Sequence, residues 1–271
     1  MGVGKKRTTK FLAAHPVCCF CGGEEPSTTI DHIPARSCFV GRQWPEGFEF
    51  PACAQCQIAS RKVELAFSFY VRALDGRRAD DGSMGKMLEG LANNLPEFVP
   101  DLSVSAREKR STYSRMGLIK PAGSIMGELP VFRIPLQLHD VMMRYAMKIA
   151  CAIFYREKGR VAPTDYCMHV AWGQAIDRKF IERSMDFIEM TPMITVGSRS
   201  NFEMGNQFIY RCNKADDPDV LALIAIFGKG VVLQMLVLDA DSAQKLDEMN
   251  PEEAARGCWT RVGDMYSANA Q

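Results

Sequence analysis

Two CxxC pairs, Cys18 with Cys21 and Cys53 with Cys56, restrict what this chain can fold into more than any other feature. A gap of two residues lets both sulfurs of a pair reach one tetrahedral ion. Thiolates suit Zn²⁺, and a closed site of four contributes folding free energy directly. The expectation is one structural zinc held by Cys18, Cys21, Cys53 and Cys56. A redox dithiol is the competing reading of a single pair, but it belongs in a βαβ setting that these flanks do not resemble. The other six cysteines are Cys19, Cys38, Cys151, Cys167, Cys212 and Cys258. They read as small buried side chains, except that Cys19 lies inside the first pair and competes as a ligand.

The residues between the pairs read as a hairpin. Residues 28–33 are rich in β-branched types and bounded by Pro26 and Pro34, so a short strand is expected. A loop with Gly41, Pro45 and Gly47 follows, and then Phe48-Glu49-Phe50 alternates as a second strand should. After Cys56 the sequence is free of Pro and Gly to residue 74. Ala59, Val63, Phe67, Tyr70 and Leu74 recur there at helical spacing. The order is strand, loop, strand, helix. One CxxC precedes the first strand, and the other opens the helix.

The remainder divides by composition. Residues 1–74 form the expected zinc-stapled module, 75–135 a linker or irregular region, and 136–271 an α+β domain. Within that last region helices are expected over 138–158, 174–188 and 241–249, and strands over 207–212, 221–227 and 231–238. Gly228-Lys229-Gly230 joins the last two strands as a hairpin turn. The fold class is therefore α+β: a small ββα unit followed by a domain with an antiparallel sheet.

Charge and hydropathy narrow the setting. The 271 residues carry a formal net charge of +1, so global charge does not select a nucleic-acid or membrane partner. Local charge is more informative, because Lys5, Lys6, Arg7 and Lys10 make a basic arm ahead of the first zinc pair. Such an arm either contacts phosphates or is a solvated tail. No apolar h-region follows it. Met1-Gly2 lacks the Ser or Thr that a myristoylation signal needs, since Lys6 stands there. No apolar run approaches the length of a membrane span, so a cytoplasmic protein with no membrane partner is expected.

Inside the hairpin stands "TTIDHIPAR", with Asp31 and His32 adjacent. Neighbours on a strand point to opposite faces, so the two cannot serve one cluster from the same side. With "CCFC" before this segment and "CAQCQ" after it, residues 18–57 resemble the HNH, or ββα-metal, endonuclease family in its zinc-stapled branch. The resemblance covers about the first quarter of the chain. It implies hydrolysis of phosphodiester bonds in nucleic acid, DNA first. His32 would be the general base, and Asp31 would bind a catalytic Mg²⁺ or Mn²⁺ that stabilises charge on the phosphate. Gln57 stands where the family has Asn, keeping the amide oxygen on a longer side chain. The family's last His is missing; Glu64, Leu65 and Ala66 occupy that part of the helix, and Glu64 is either a substitute ligand or a solvated side chain. His15, His139 and His169 carry no recognisable ligand pattern. Two other readings stay open: a zinc module that binds nucleic acid without cutting it, and a zinc hairpin in a protein-interaction scaffold.

Overall fold

The computed structural model describes residues 3–42, 44–75, 82–115, 131–175, 177–189, 193–194, 207–249, 251 and 259–266. The ordered elements begin with helix α1 (Val3–Ala14), followed by strand β1 (Thr29–His32), strand β2 (Glu49–Ala52) and helix α2 (Ala54–Asp75). Helices α3 (Ser83–Asn94), α4 (Ala106–Arg115) and α5 (Leu138–Lys158) come next, and then β3 (Cys167–Gln174), α6 (Arg178–Glu189) and β4 (Met193–Ile194). The chain continues with β5 (Phe208–Asp216), β6 (Asp219–Phe227), β7 (Val231–Leu238), α7 (Ala240–Met249) and β8 (Thr260–Arg261). The class is α+β, as expected.

β1 and β2 form an antiparallel hairpin in which Asp31 faces Phe50 and His32 faces Glu49. The other strands make one antiparallel sheet in the order β4-β5-β6-β7-β3-β8. β6 and β7 bury Leu221, Leu223, Ala225, Val231, Leu233, Met235 and Val237 on one face and Ala222, Ile224, Val232 and Leu238 on the other, which marks the sheet centre. The turn between them is pinned to the end of α2. Asp75 Oδ1 accepts a hydrogen bond from the Lys229 amide at 2.7 Å, and a Cβ on Gly230 would lie 2.7 Å from backbone atoms of Leu74 and Asp75.

Helix α5 runs through the middle of the molecule, against α2 on one side and against β3 and β7 on the other. Every residue from Tyr145 to Phe154 is buried, so the helix presents no polar face over that stretch. Ala146, Ala150 and Ala152 keep its surroundings close, and Tyr145 stacks on Phe67 of α2 with ring centroids 4.1 Å apart. One continuous hydrophobic core reaches from Cys18 to Met265. The expected divisions at residues 74 and 135 therefore coincide with no break in the packing.

Three expectations are corrected. The region read as irregular contains α3 and α4. Polar composition hid α4 although Ser105 and Glu108 form a reciprocal N-terminal cap, Ser105 N to Glu108 Oε2 at 2.9 Å and Glu108 N to Ser105 Oγ at 3.2 Å. Residues 167–174, left unassigned apart from a helix start at 174, form β3, whose Met, His, Ala and Gly content gives weak strand propensity. The arm carrying Lys5, Lys6, Arg7 and Lys10 is the helix α1 rather than a tail.

Candidate active site and metal centre

The four expected cysteines converge. Their Sγ atoms all lie within 4.8 Å of one another, a cluster that could hold a metal ion such as zinc. The hairpin explains why: the first pair precedes β1, and Cys53 and Cys56 straddle the start of α2. Backbone amides aim at the sulfurs, Phe20 N to Cys18 Sγ at 3.4 Å and Cys56 N to Cys53 Sγ at 3.3 Å, a setting that favours thiolate. A hydrogen bond from Cys56 holds the Cys18 thiol below its ordinary range. Cys19 is fully buried but outside the cluster, and burial pushes its thiol well up. It is not the competing ligand that its position suggested.

Above this cluster, a cleft of about 280 Å³ opens between β1 and α2. It is lined by Asp31, His32, Arg36, Gln57 and Glu64 among others. Residues 57, 60 and 64 fall on one face of α2 by helical spacing, which brings Gln57, Ser60 and Glu64 toward the hairpin. Asp31 and His32 do point different ways, as strand geometry requires. Asp31 turns inward. Its Oδ2 accepts a hydrogen bond from Lys148 Nζ at 2.6 Å, and its Oδ1 accepts from the His32 amide at 2.9 Å. Lys148 comes from the centre of α5 with no exposed surface, and its ammonium also donates to Ser60 Oγ at 2.7 Å.

His32 turns toward the cleft mouth. Its Nε2 lies 2.6 Å from the Arg36 guanidinium and 3.5 Å from Glu49 Oε1. A guanidinium can only donate, so this nitrogen is the acceptor of a neutral ring. Burial, followed by the nearby Arg36 charge, holds the His32 pKa below the ordinary histidine value. Arg36 in turn stacks on Trp44, 3.7 Å from guanidinium carbon to ring centroid, and Trp44 meets His32 edge-on at 5.4 Å. Glu49 is clamped from its other side by Arg7 at 2.5 Å, so α1 is tied to the hairpin through one of its basic residues.

Glu64 is the second perturbed group. Burial pushes its carboxyl up to about 7, offset in part by Lys148. It lines the cleft and is not a solvated helix-face side chain. Gln57 also lies at the cleft, its amide nitrogen 3.5 Å from Thr29 Oγ1. Lys6 and Lys10 are exposed on α1. His15 pairs with the Tyr155 hydroxyl at 2.6 Å, His139 accepts from the Trp172 indole at 3.1 Å, and His169 packs edge-on against Trp259. None of these three joins a cluster of metal-binding groups among the described residues.

Lys148 is the residue that sequence reasoning missed. Its signal was available: in "YAMKIACAIF" it is the single charge in a run that is otherwise apolar apart from a tyrosine hydroxyl. A lone charge on a buried helix must have a partner, and Asp31 is that partner.

The donor set does not fit a divalent cation at Asp31. Such an ion would share Oδ2 with an ammonium already at 2.6 Å. Two cations on one carboxylate oxygen repel each other, which disfavours adding the ion while Lys148 stays in place. Compared with known proteins, the chain matches no family model, no curated protein and no solved structure. Among the described residues no helix is long and apolar enough to cross a membrane.

Proposed function

We propose that the cleft between β1 and α2 hydrolyses phosphodiester bonds of nucleic acid, DNA first, on an HNH-like hairpin–helix frame. We assign zinc to the four-cysteine cluster that underlies it. The observation that carries the reading is a neutral imidazole whose Nε2 faces a guanidinium, in the same cleft as a carboxyl raised to about 7. Two titratable groups pushed in opposite directions are the usual arrangement of a base and an acid working at one pH.

In this reading a phosphate oxygen replaces His32 as the partner of Arg36. The guanidinium, held flat against Trp44, binds the phosphate through two parallel hydrogen bonds and stabilises the charge that develops on it. Freed of that contact, Nε2 takes the proton from a water that attacks phosphorus. Glu64 gives its proton to the departing ester oxygen, so the products are a phosphate monoester and a hydroxyl. The Mg²⁺ or Mn²⁺ expected at Asp31 and Gln57 has no part here, because Lys148 already holds Asp31. Lys6 and Lys10 add sequence-independent attraction to the phosphate backbone.

The Asp31–Lys148 pair also favours a second reading, in which the module binds nucleic acid or a protein partner without cutting. Supercoiled plasmid incubated with zinc-loaded protein separates the two. Nicking that His32→Ala abolishes, with zinc content and fold retained, supports hydrolysis. No nicking by the parent under any divalent-ion condition, together with salt-sensitive binding, supports the second reading.

A further inference from the structure

We infer that Lys148 is the built-in cation of this site: its ammonium takes the position on Asp31 that a divalent ion would need, so the cleft works without Mg²⁺ or Mn²⁺. The inference deepens the hydrolytic reading and rests on it for the chemistry, but the binding claim stands by itself.

Three features carry it. First, the ammonium is coordinated as an ion would be, by Asp31 Oδ2 at 2.6 Å and Ser60 Oγ at 2.7 Å, one ligand from the first strand and one from the helix. Its remaining side faces the Phe20 ring, 5.1 Å from the centroid, where a cation is attracted by the ring's negative face. Second, it cannot swing aside. Lys148 has no exposed surface and sits in the stretch of α5 from Tyr145 to Phe154 in which every residue is buried, so the ammonium has no solvent-facing position to move to. Third, its charge is matched to the site. One ammonium neutralises one carboxylate, whereas a divalent ion would leave excess charge and would need oxygen ligands at about 2.0–2.4 Å, closer than these hydrogen-bond distances. The cation also comes from a different part of the chain. A bare hairpin–helix unit has no α5, and here α5 delivers the charge through the wall of the module.

Removing the ammonium leaves Asp31, Gln57 and Glu64 bordering one space with no cation on Asp31 Oδ2, Arg36 remaining on the His32 side of the cleft. The experiment is Mn²⁺ uptake by zinc-loaded full-length protein, followed by loss of the free-Mn²⁺ electron paramagnetic resonance signal. The parent and a Gln57→Ala/Glu64→Gln variant should take up the same amount, while Lys148→Met should gain one site at least tenfold tighter than any in the parent. A parent site that the Gln57→Ala/Glu64→Gln variant loses overturns the inference, and this arm does not depend on Lys148→Met folding. A folded Lys148→Met protein that gains no site overturns it as well. Plasmid nicking keeps the two claims apart. Nicking that requires Mg²⁺ defeats the built-in cation but leaves hydrolysis standing. If the parent nicks nothing in any buffer, the hydrolytic reading fails and Mn²⁺ uptake alone decides the inference.

Discussion

At the scale of single residues, the molecule depends on a charge pair that sequence spacing does not reveal. Asp31 and Lys148 are 117 positions apart, and both are buried. Removing one partner of such a pair strands the other charge in the core and typically costs about 3–5 kcal/mol, whereas replacing both by apolar groups is often neutral. Lys148→Ala should therefore lower stability in urea by that amount, and Asp31→Leu combined with Lys148→Met should recover most of it. Equal losses in the single and the double variant would contradict the pairing. Stability should also depend on pH through the cleft. The folded pKa of Glu64 is raised from 4.5 to about 7, so its contribution is fully present below pH 4.5 and is lost as pH rises through 7. Glu64→Gln should then be more stable than the parent at pH 8, by about 1–3 kcal/mol, with the difference gone near pH 4.5. His32 works in the opposite sense. Its folded pKa is depressed, so its contribution is present above 6.5 and fades as pH falls through the lower folded value. Urea titrations of the parent, Glu64→Gln and His32→Ala proteins at several pH values check both signs.

Among the elements, legibility in the sequence followed the strength of periodicity. Helix α5 was readable to its ends because Met142, Tyr145, Ile149 and Ile153 repeat at helical spacing and Gly159 closes it at φ 70°. β6 and β7 were readable from apolar runs, the second broken only by Gln234, on either side of Gly228-Lys229-Gly230. The hairpin with α2 was readable because the CxxC pairs fix its ends. What stayed hidden was whatever tertiary contact decides. β3 is a strand because β7 pairs along its whole length, from Cys167 with Leu238 to Gln174 with Val231, and not because its residues favour one. α3 packs on α2 although Gly85 and Gly90 weaken it as an isolated helix. In the site, the four cysteines were legible from spacing and Asp31, His32 and Gln57 from the resemblance to the HNH motif order, whereas Arg36, Glu49 and Lys148 were not, since their contacts arise from register and from α5. The docking of α2 on the β6–β7 turn gives an element-scale prediction. Gly230→Ala would place its Cβ 2.7 Å from backbone of Leu74 and Asp75, and should cost about 1–3 kcal/mol by overpacking. Thermal unfolding that matches the parent would show that the turn and the helix end are not held together.

For the molecule as a whole, the consequence of a continuous core is that the four-cysteine cluster and the sheet share one fate. Phe20 and Cys19 follow Cys18 directly and lie in the same core as Tyr145, Phe208 and Leu233. Cys53→Ser should lose the metal and destabilise the entire chain, because a structural site transmits its binding free energy to whatever folds with it. Denaturation followed by tryptophan fluorescence and by metal release should give coincident transitions, and a sheet that melts unchanged after the metal has left would contradict a shared core. The chemistry proposed for the cleft joins the same parts: the cluster sets the hairpin, α5 neutralises Asp31, and the hairpin and α2 then present a base and an acid to one phosphate. The most direct test is the pH–rate profile of plasmid nicking by the parent and Glu64→Gln proteins between pH 4.5 and 9. The parent should rise as His32 loses its proton, reach a maximum below pH 7, and fall through about 7 as Glu64 ionises; Glu64→Gln should be about 100-fold slower or more and lack the falling limb. A parent rate that keeps climbing to pH 9, or a Glu64→Gln profile with the same shape as the parent's, would contradict the base-and-acid account of this cleft.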